Sequence, residues 1–382
     1  MYPRADRIKQ EDETMNDKKL GFGLMRLPLT DQGDPGSIDM GELKEMVDLF
    51  IGSGYSYFDT AWMYHKHSSE TAIREALTQR YPRDSYSLAT KLHESYVKDG
   101  VTKDDIFYKQ CKKTGVDYFD YYLIHSITDD AYESCVRKEC FPWLLEKKKA
   151  GLVKHAGFSF HGTPPVLERI LDDNPWVEFV QLQINYLDWD CKNIRSGECY
   201  RICESRGIPV IVMEPVKGGS LASLPARDEK LMKDYNPDAS IASWAIRFVA
   251  GLPNVMMVLS GMSNPEQMKD NIATYDNLQP LNEEEKEILR KVVVNLRESG
   301  SIACTACAYC TEGCPVNINI PEYFRLYNAA REDMAGKRAE FSRLCKEFGK
   351  PSDCLECGQC ENICPQGLSI IENLKDVARF FE

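Results

Sequence analysis

The sequence predicts an α/β protein: a closed (β/α)8 barrel followed by a small, mainly helical domain. Three observations carry that reading. Eight short apolar runs recur as far as Pro280, segments of helical periodicity separate them, and the C-terminal stretch holds two copies of one cysteine spacing. The runs are 21–27, 57–59, 87–91, 118–124, 155–159, 180–184, 209–213 and 255–259. Each has the length of a strand buried on both faces. Between them, 39–53 stops before Gly54, 69–79 before Pro82, and 241–250 before Gly251-Leu252-Pro253, the punctuation that ends helices. Alternation at this pitch calls for a parallel sheet with crossover helices. Eight units in roughly 260 residues favour closure into a TIM barrel. An open doubly wound sheet wants a glycine fingerprint after its first strand, and Gly21-Phe22-Gly23-Leu24-Met25-Arg26 does not read G-x-G-x-x-G.

The cysteine runs are Cys304, Cys307, Cys310, Cys314-Pro315 and Cys354, Cys357, Cys360, Cys364-Pro365, each C-x-x-C-x-x-C-x-x-x-C-P. This is the ligand spacing of paired cubane iron–sulfur clusters, in which two-residue gaps wrap one loop round three corners and the fourth thiolate comes from elsewhere. Structural zinc sites more often use two separated cysteine pairs. The C-terminal segment resembles the two-cluster ferredoxin modules. That resemblance implies crossed ligation, with Cys304, Cys307, Cys310 and Cys364 on one 4Fe-4S cluster and Cys354, Cys357, Cys360 and Cys314 on the other. The long link between the runs carries helical stretches at 320–330 and 336–348, so the module is of the helical kind. Cys345 stands outside both runs and reads as a buried apolar residue. Cys199 and Cys203 lie one helical turn apart and read the same way.

The expected organisation is therefore a polar N-terminal tail (1–18), the barrel (19–280), a connecting helix (281–299) and the two-cluster domain (300–382). Of 382 residues, fifteen are cysteine, and eight of those stand in cluster spacing, which points to a reducing compartment. The N-terminal residues contain no apolar h-region. The most apolar stretch, 241–262, is interrupted by Arg247 and Pro253. A cytoplasmic, soluble protein with no membrane partner is expected. The net charge of −12, without basic clusters, argues against a nucleic-acid partner.

In a barrel, polar residues at the C-terminal tips of strands are the catalytic candidates. Asp59 ends the second run with Tyr64 five residues on, Lys91 ends the third, and His125 follows the fourth. The stretches Phe58-Asp59-Thr60-Ala61-Trp62-Met63-Tyr64, Ala89-Thr90-Lys91 and Tyr122-Leu123-Ile124-His125 resemble the tetrad motifs of the aldo/keto reductase family, a resemblance running from about Leu20 to Asn277. It implies that Tyr64 is the general acid, that Lys91 lowers the phenol's pKa, that Asp59 orients Lys91, and that His125 positions a carbonyl. A phenol of pKa about 10 exchanges protons poorly at neutral pH without such help.

The resemblance also implies a nicotinamide site. Ser159 and Gln181 match the carboxamide-binding positions and Met213 the ring-stacking position. Gly261, Met262, Ser263 and Gln267 match the phosphate loop, with Asn271 at the adenine. Family members that prefer NADPH carry lysine and arginine where this chain has Gly261 and Gln267, so NADH is favoured over NADPH. A flavin is the alternative. Trp62 and His93 are expected as pocket walls, His161 near the substrate, and His65 and His67 at the surface.

Hydride transfer moves two electrons and a cubane accepts one. The expected function is an anaerobic oxidoreductase acting on a small-molecule carbonyl or alcohol, with two 4Fe-4S clusters passing electrons to or from the site or a one-electron carrier such as ferredoxin or flavodoxin. The alternatives are an electron-relay subunit, or a nicotinamide-independent reductase driven by a flavin or the clusters, in which the tetrad handles only protons.

Overall fold

The computed structural model describes residues 18–382, so the expected tail falls outside the described residues except for Lys18. Eight parallel strands close into a barrel in chain order: β1 Leu20–Gly23, β2 Tyr57–Asp59, β3 Ser87–Leu92, β4 Phe119–Ile127, β5 Val153–Phe160, β6 Phe179–Gln183, β7 Val210–Met213 and β8 Val255–Ser260. The crossovers carry helices α1 Met40–Gly52, α2 Ser69–Ile73, α3 Lys103–Thr114, α4 Asp129–Arg137, α5 Cys140–Lys149, α6 Pro164–Asp173, α7 Ser196–Ser205, α8 Ala226–Tyr235, α9 Ile241–Ala250 and α10 Pro265–Asp276. After them come α11 Glu283–Glu298, α12 Ile320–Glu332, α13 Lys337–Glu347 and α14 Ile370–Phe381.

The first apolar run gives a shorter strand than the sequence predicts. The Leu24 amide makes the last ladder bond of β1, to the Asp59 carbonyl at 2.8 Å, and the chain leaves the sheet after it. The fourth gives a longer one, because β4 continues past Ile124 through a register shift against β5. The 69–79 segment starts as α2 and relaxes into a π-turn over Arg74–Thr78. Helix α14 was not among the predicted elements. Its buried Ile370, Leu374, Val377 and Phe381 nevertheless recur at helical spacing.

Strand alternation sorts the barrel's side chains into two layers. Phe22, Phe58, Leu88, Tyr122, Ile124, Phe158 and Val180 join the core shared with the helices. Tyr57, Ala89, Tyr121, Leu123, Phe179, Ile211 and Leu259 pack together as a separate cluster, the barrel's own filling. Gly157 is part of that packing: a Cβ there would meet the Phe179 carbonyl at 2.4 Å and its ring at 2.8 Å.

The chain divides into two compact units. One comprises the described part of Met1–Val216 together with Asn236–Asn282, and the other Lys217–Tyr235 together with Glu283–Glu382. The segment after β7, including α8, thus belongs with the cysteine-rich unit, where Asn295 of α11 donates to Asp228 of α8 at 2.6 Å. The second unit has its own core, formed by Ile318, Tyr323, Phe324, Leu326, Phe341, Leu344, Leu374 and Val377 among others. Among the described residues, no helix is long and apolar enough to cross a membrane.

Candidate functional site

The barrel's polar residues occupy the next inward position along each strand. Asp59 lies two residues beyond Tyr57, Lys91 beyond Ala89, His125 beyond Leu123, Gln181 beyond Phe179 and Met213 beyond Ile211. Period-two geometry therefore stacks a mostly polar layer on the apolar filling. Lys91 is 1% exposed and pairs with Asp59, while its Nζ donates to the Thr60 carbonyl at 2.8 Å and to the Tyr64 hydroxyl at 3.4 Å. The Tyr64 and His125 rings stand 6.0 Å apart, edge to face. The four residues expected to act together are brought together.

Burial pushes Lys91 down and Asp59 up, and each one's charge pulls the other back toward its ionised form. Burial holds the Tyr64 phenol well above its usual range, the charges of Asp59 and Glu214 add to that, and Arg26 opposes it. The lowering by Lys91 expected from the sequence does not dominate, because burial outweighs it and the Asp59 carboxylate pushes the same way as burial. Tyr64 is thus a proton-bearing phenol at neutral pH. His125 is held well below the usual imidazole range by burial and by the charges of Lys91, His93 and His161. It is a neutral ring, and its Nδ1 is buried without a hydrogen-bond partner among the described residues.

Around this centre, His93 packs 5.8 Å from His125. Trp62 lies against Tyr96 at 6.2 Å, with the Lys113 ammonium over its ring at 4.6 Å. His65 corrects the sequence reading: it is buried, its Nε2 accepts from the Leu27 amide at 3.1 Å, and its Nδ1 lies 2.8 Å from the Pro35 carbonyl. His67 is exposed as expected. His65, Lys66 and His67 all adopt positive φ, at 51°, 50° and 68°, a strained left-handed turn directly after Tyr64.

Sequence reasoning missed two groups. Arg26 and Glu214 approach to 4.0 Å and both act on the phenol. Behind β3, Gln110 donates to Glu70 at 2.8 Å and to the Lys91 carbonyl at 2.9 Å, while Glu70 accepts from Thr90 and pairs with Lys113. The signal for this network was a polar residue in an apolar stripe, since Gln110 shares the buried face of α3 with Ile106, Phe107 and Thr114.

The nucleotide positions form a graded set. Ser159, Gln181 and Asn271 are buried polar groups, with Ser159 Oγ accepting from the Ser126 amide at 2.6 Å and Asn271 donating to Ser260 at 2.7 Å. Met213 is half-buried at the end of β7. Met262 packs into the core, so only its backbone faces outward chemistry. The Gln267 side chain closes its own loop by accepting from the Ser263 amide at 2.8 Å. A Cβ at Gly261 would meet the Arg26 stem at 3.3 Å, so Arg26 fills the space a longer residue would take. Polar groups at strand tips, a soft apolar side chain and the N-terminus of α10 suit a nicotinamide dinucleotide.

In the second unit, Cys304, Cys307, Cys310 and Cys364 line one cavity, and Cys314, Cys354, Cys357 and Cys360 line another. Among the described residues, no three such side chains are placed to hold a single metal ion. Burial and the neighbouring Cys307, Cys304 and Cys364 push the Cys310 thiol up, a cost that bound iron would offset. The Ala306 amide reaches Cys304 Sγ and the Ile318 amide reaches Cys314 Sγ, each at 3.4 Å, the kind of contact that tunes a cluster. The donor set fits two cubanes. Cys345 lines neither cavity and accepts from the Tyr323 hydroxyl at 3.6 Å. Cys199 and Cys203 lie in the barrel core.

Comparison with known proteins agrees with this division. The model of the aldo/keto reductase family matches residues 19–294, and that of a 4Fe-4S dicluster domain matches 303–368. An uncharacterized oxidoreductase of Schizosaccharomyces pombe is 26% identical over 284 residues, covering 70% of this chain and 84% of that protein. The NADH-specific methylglyoxal reductase of Escherichia coli is 22% identical over 266 residues, covering 58% and 79%. Among solved structures, the holo form of an aldo-keto reductase from Bacillus halodurans is 25% identical with a TM-score of 0.56, covering 72% of this chain and 91% of that one.

Proposed function

Because the chain belongs to the aldo/keto reductase family, and carries a 4Fe-4S ferredoxin-type domain, we propose that its barrel interconverts a small-molecule carbonyl and alcohol, and that two clusters exchange electrons with the site or with a one-electron carrier. The observation that carries the reading is the buried Lys91 held between Asp59, the Thr60 carbonyl and the Tyr64 hydroxyl. Ser159, Gln181 and Met213 would hold a nicotinamide, which when bound would supply or accept a hydride at the carbonyl carbon. In the reducing direction Tyr64 gives its proton to the carbonyl oxygen, for which a retained proton is the useful state. Neutral His125 donates a hydrogen bond to that oxygen and fixes its direction. Lys91 stabilises the phenolate left behind, and Asp59 keeps Lys91 charged in a site that would otherwise strip its proton.

The weak provision of cations at Gly261 and Gln267 supports NADH over NADPH, and the relative from Escherichia coli is itself NADH-specific. That same poverty favours a second reading, in which a flavin or the clusters supply electrons and the tetrad moves only protons. Anaerobic titration of cluster-loaded protein with NADH separates the two, since the first expects nicotinamide oxidation and the second none. Tyr64→Phe tests the barrel chemistry: turnover is expected to fall about 10²- to 10⁴-fold, with iron content unchanged. Undiminished turnover would remove the tetrad from the mechanism.

A further inference from the structure

The two cysteine runs share one spacing, yet the walls of their cavities differ, and one difference is a buried charged residue. Lys217, 3% exposed, belongs to the cysteine-rich unit, and its Nζ donates to Gln366 Oε1 at 2.9 Å. Gln366 and Thr305 are themselves 5% and 2% exposed, and both line the cavity of Cys304, Cys307, Cys310 and Cys364. The next residue, Gly218, is seated so tightly on this wall that a Cβ would meet the Thr305 carbonyl at 2.5 Å. Its φ is +65°, and that of Lys217 is +47°. A non-glycine residue in the left-handed region, locked against the wall by the glycine after it, has a fixed place rather than a wandering one.

In the second cavity the matching positions are apolar. The position matching Thr305 is Leu355, and the position matching Gln366 is Val316; both line the cavity of Cys314, Cys354, Cys357 and Cys360. Leu355 is 64% exposed. Charged side chains within that run are Glu356, paired with Lys375 at 3.2 Å, and Glu361, whose Oε1 accepts from the Ile371 amide at 2.8 Å.

Resting on the two-cluster reading of these cysteines, we propose that Lys217 sets the two clusters apart in reduction potential by placing a buried ammonium behind the wall of the first. Reduction of a cubane adds one electron, and no other atom moves with it. The four-thiolate centre, already anionic, gains one further negative charge. A cation held in a poorly solvated wall favours the more negative state, and net charge, hydrogen bonding and exposure are the levers that set such potentials. Lys217 is a positioning residue, acting through Gln366 and through its field, and the cluster of Cys304, Cys307, Cys310 and Cys364 is the higher-potential one.

The test uses the full chain, loaded anaerobically with iron and sulfide and poised with dithionite as the one-electron donor, with cluster spins counted by paramagnetic resonance at each potential. The wild type is expected to show two separate midpoints. Lys217→Met is expected to lower the higher midpoint by at least tenfold in the one-electron equilibrium, about 59 mV, and to leave the lower one in place, while Lys217→Arg keeps both. Two unmoved midpoints at full iron content would overturn the proposal, as would an equal shift of both. Loss of one cluster's iron in both variants would assign Lys217 a scaffolding role and overturn it too. Iron and sulfide analysis of the wild type keeps the underlying reading separate: a chain that never binds two clusters refutes that reading at once, whatever the variants do.

Discussion

His125 owes its chemistry to burial. A ring kept neutral among Lys91, His93 and His161 can donate to a carbonyl oxygen without bringing a second positive charge into a pocket that already holds Lys91. The same burial ties stability to pH. His125 has a folded pKa well below its unfolded value of about 6.5, so the unfolded chain binds the extra proton first. Its contribution is complete above about pH 6.5 and is lost as the pH falls, at up to about 1.4 kcal/mol per pH unit. His65 and His93 are shifted the same way, also by burial. All five tryptophans lie in the barrel unit, so their emission reports that unit alone. Between about pH 6 and pH 5, the urea stability of the barrel is expected to fall less steeply in His125→Gln than in the wild type, by about 1.4 kcal/mol per unit. Equal slopes would show that His125 is not the buried neutral ring described.

At the scale of elements, the two cysteine runs share a backbone as well as a spacing. Ala306 and Glu356, Ala308 and Gly358, and Asn317 and Gly367 occupy matching places, and all six have positive φ, at 53° and 54°, 63° and 76°, and 52° and 57°. Left-handed residues between ligands turn the chain so that thiols face one cavity and amides can reach sulfur. Alanine tolerates this at a cost, and a β-branched residue does so poorly. Ala308→Val is therefore expected to destabilise the first loop by about 1–2 kcal/mol and to lower bound iron by up to one cluster per chain, whereas Ala308→Gly keeps full iron. Full loading of the valine variant would show that the loop is not constrained as described. Much of this geometry was legible in sequence: the spacing announced the thiols that line the two cavities, and the strand tips announced the grouping of Asp59, Lys91 and His125, with Tyr64 five residues beyond Asp59. Features made by tertiary approach were not. Nothing local marks Arg26 as lying over Gly261, Glu214 as acting on Tyr64, or Lys217 as reaching Gln366, because each pair is brought together by the fold and not by periodicity. His65 was misread for the same reason: its two partners, Leu27 and Pro35, lie some thirty or more residues away in sequence.

The whole molecule joins two cores of unequal independence. The barrel buries a large apolar set from Leu20 to Tyr275. The second unit rests on a much smaller cluster, and Cys304, Cys314, Cys354, Cys360 and Cys364 are packed at its edge. A small core depends on a bound metal group for much of its folding free energy, since ligands and fold form together. The consequence concerns iron removal. In iron-free protein, helical circular dichroism is expected to decay at lower urea than tryptophan emission, because α11 to α14 lose their support while the barrel does not. In the loaded protein the gap between the two transitions should narrow, as iron raises the first and leaves the second where it was. If both probes instead shift together when iron is removed, the cysteine-rich unit is not the part that the metal stabilises, and the clusters would contribute to the barrel's own stability.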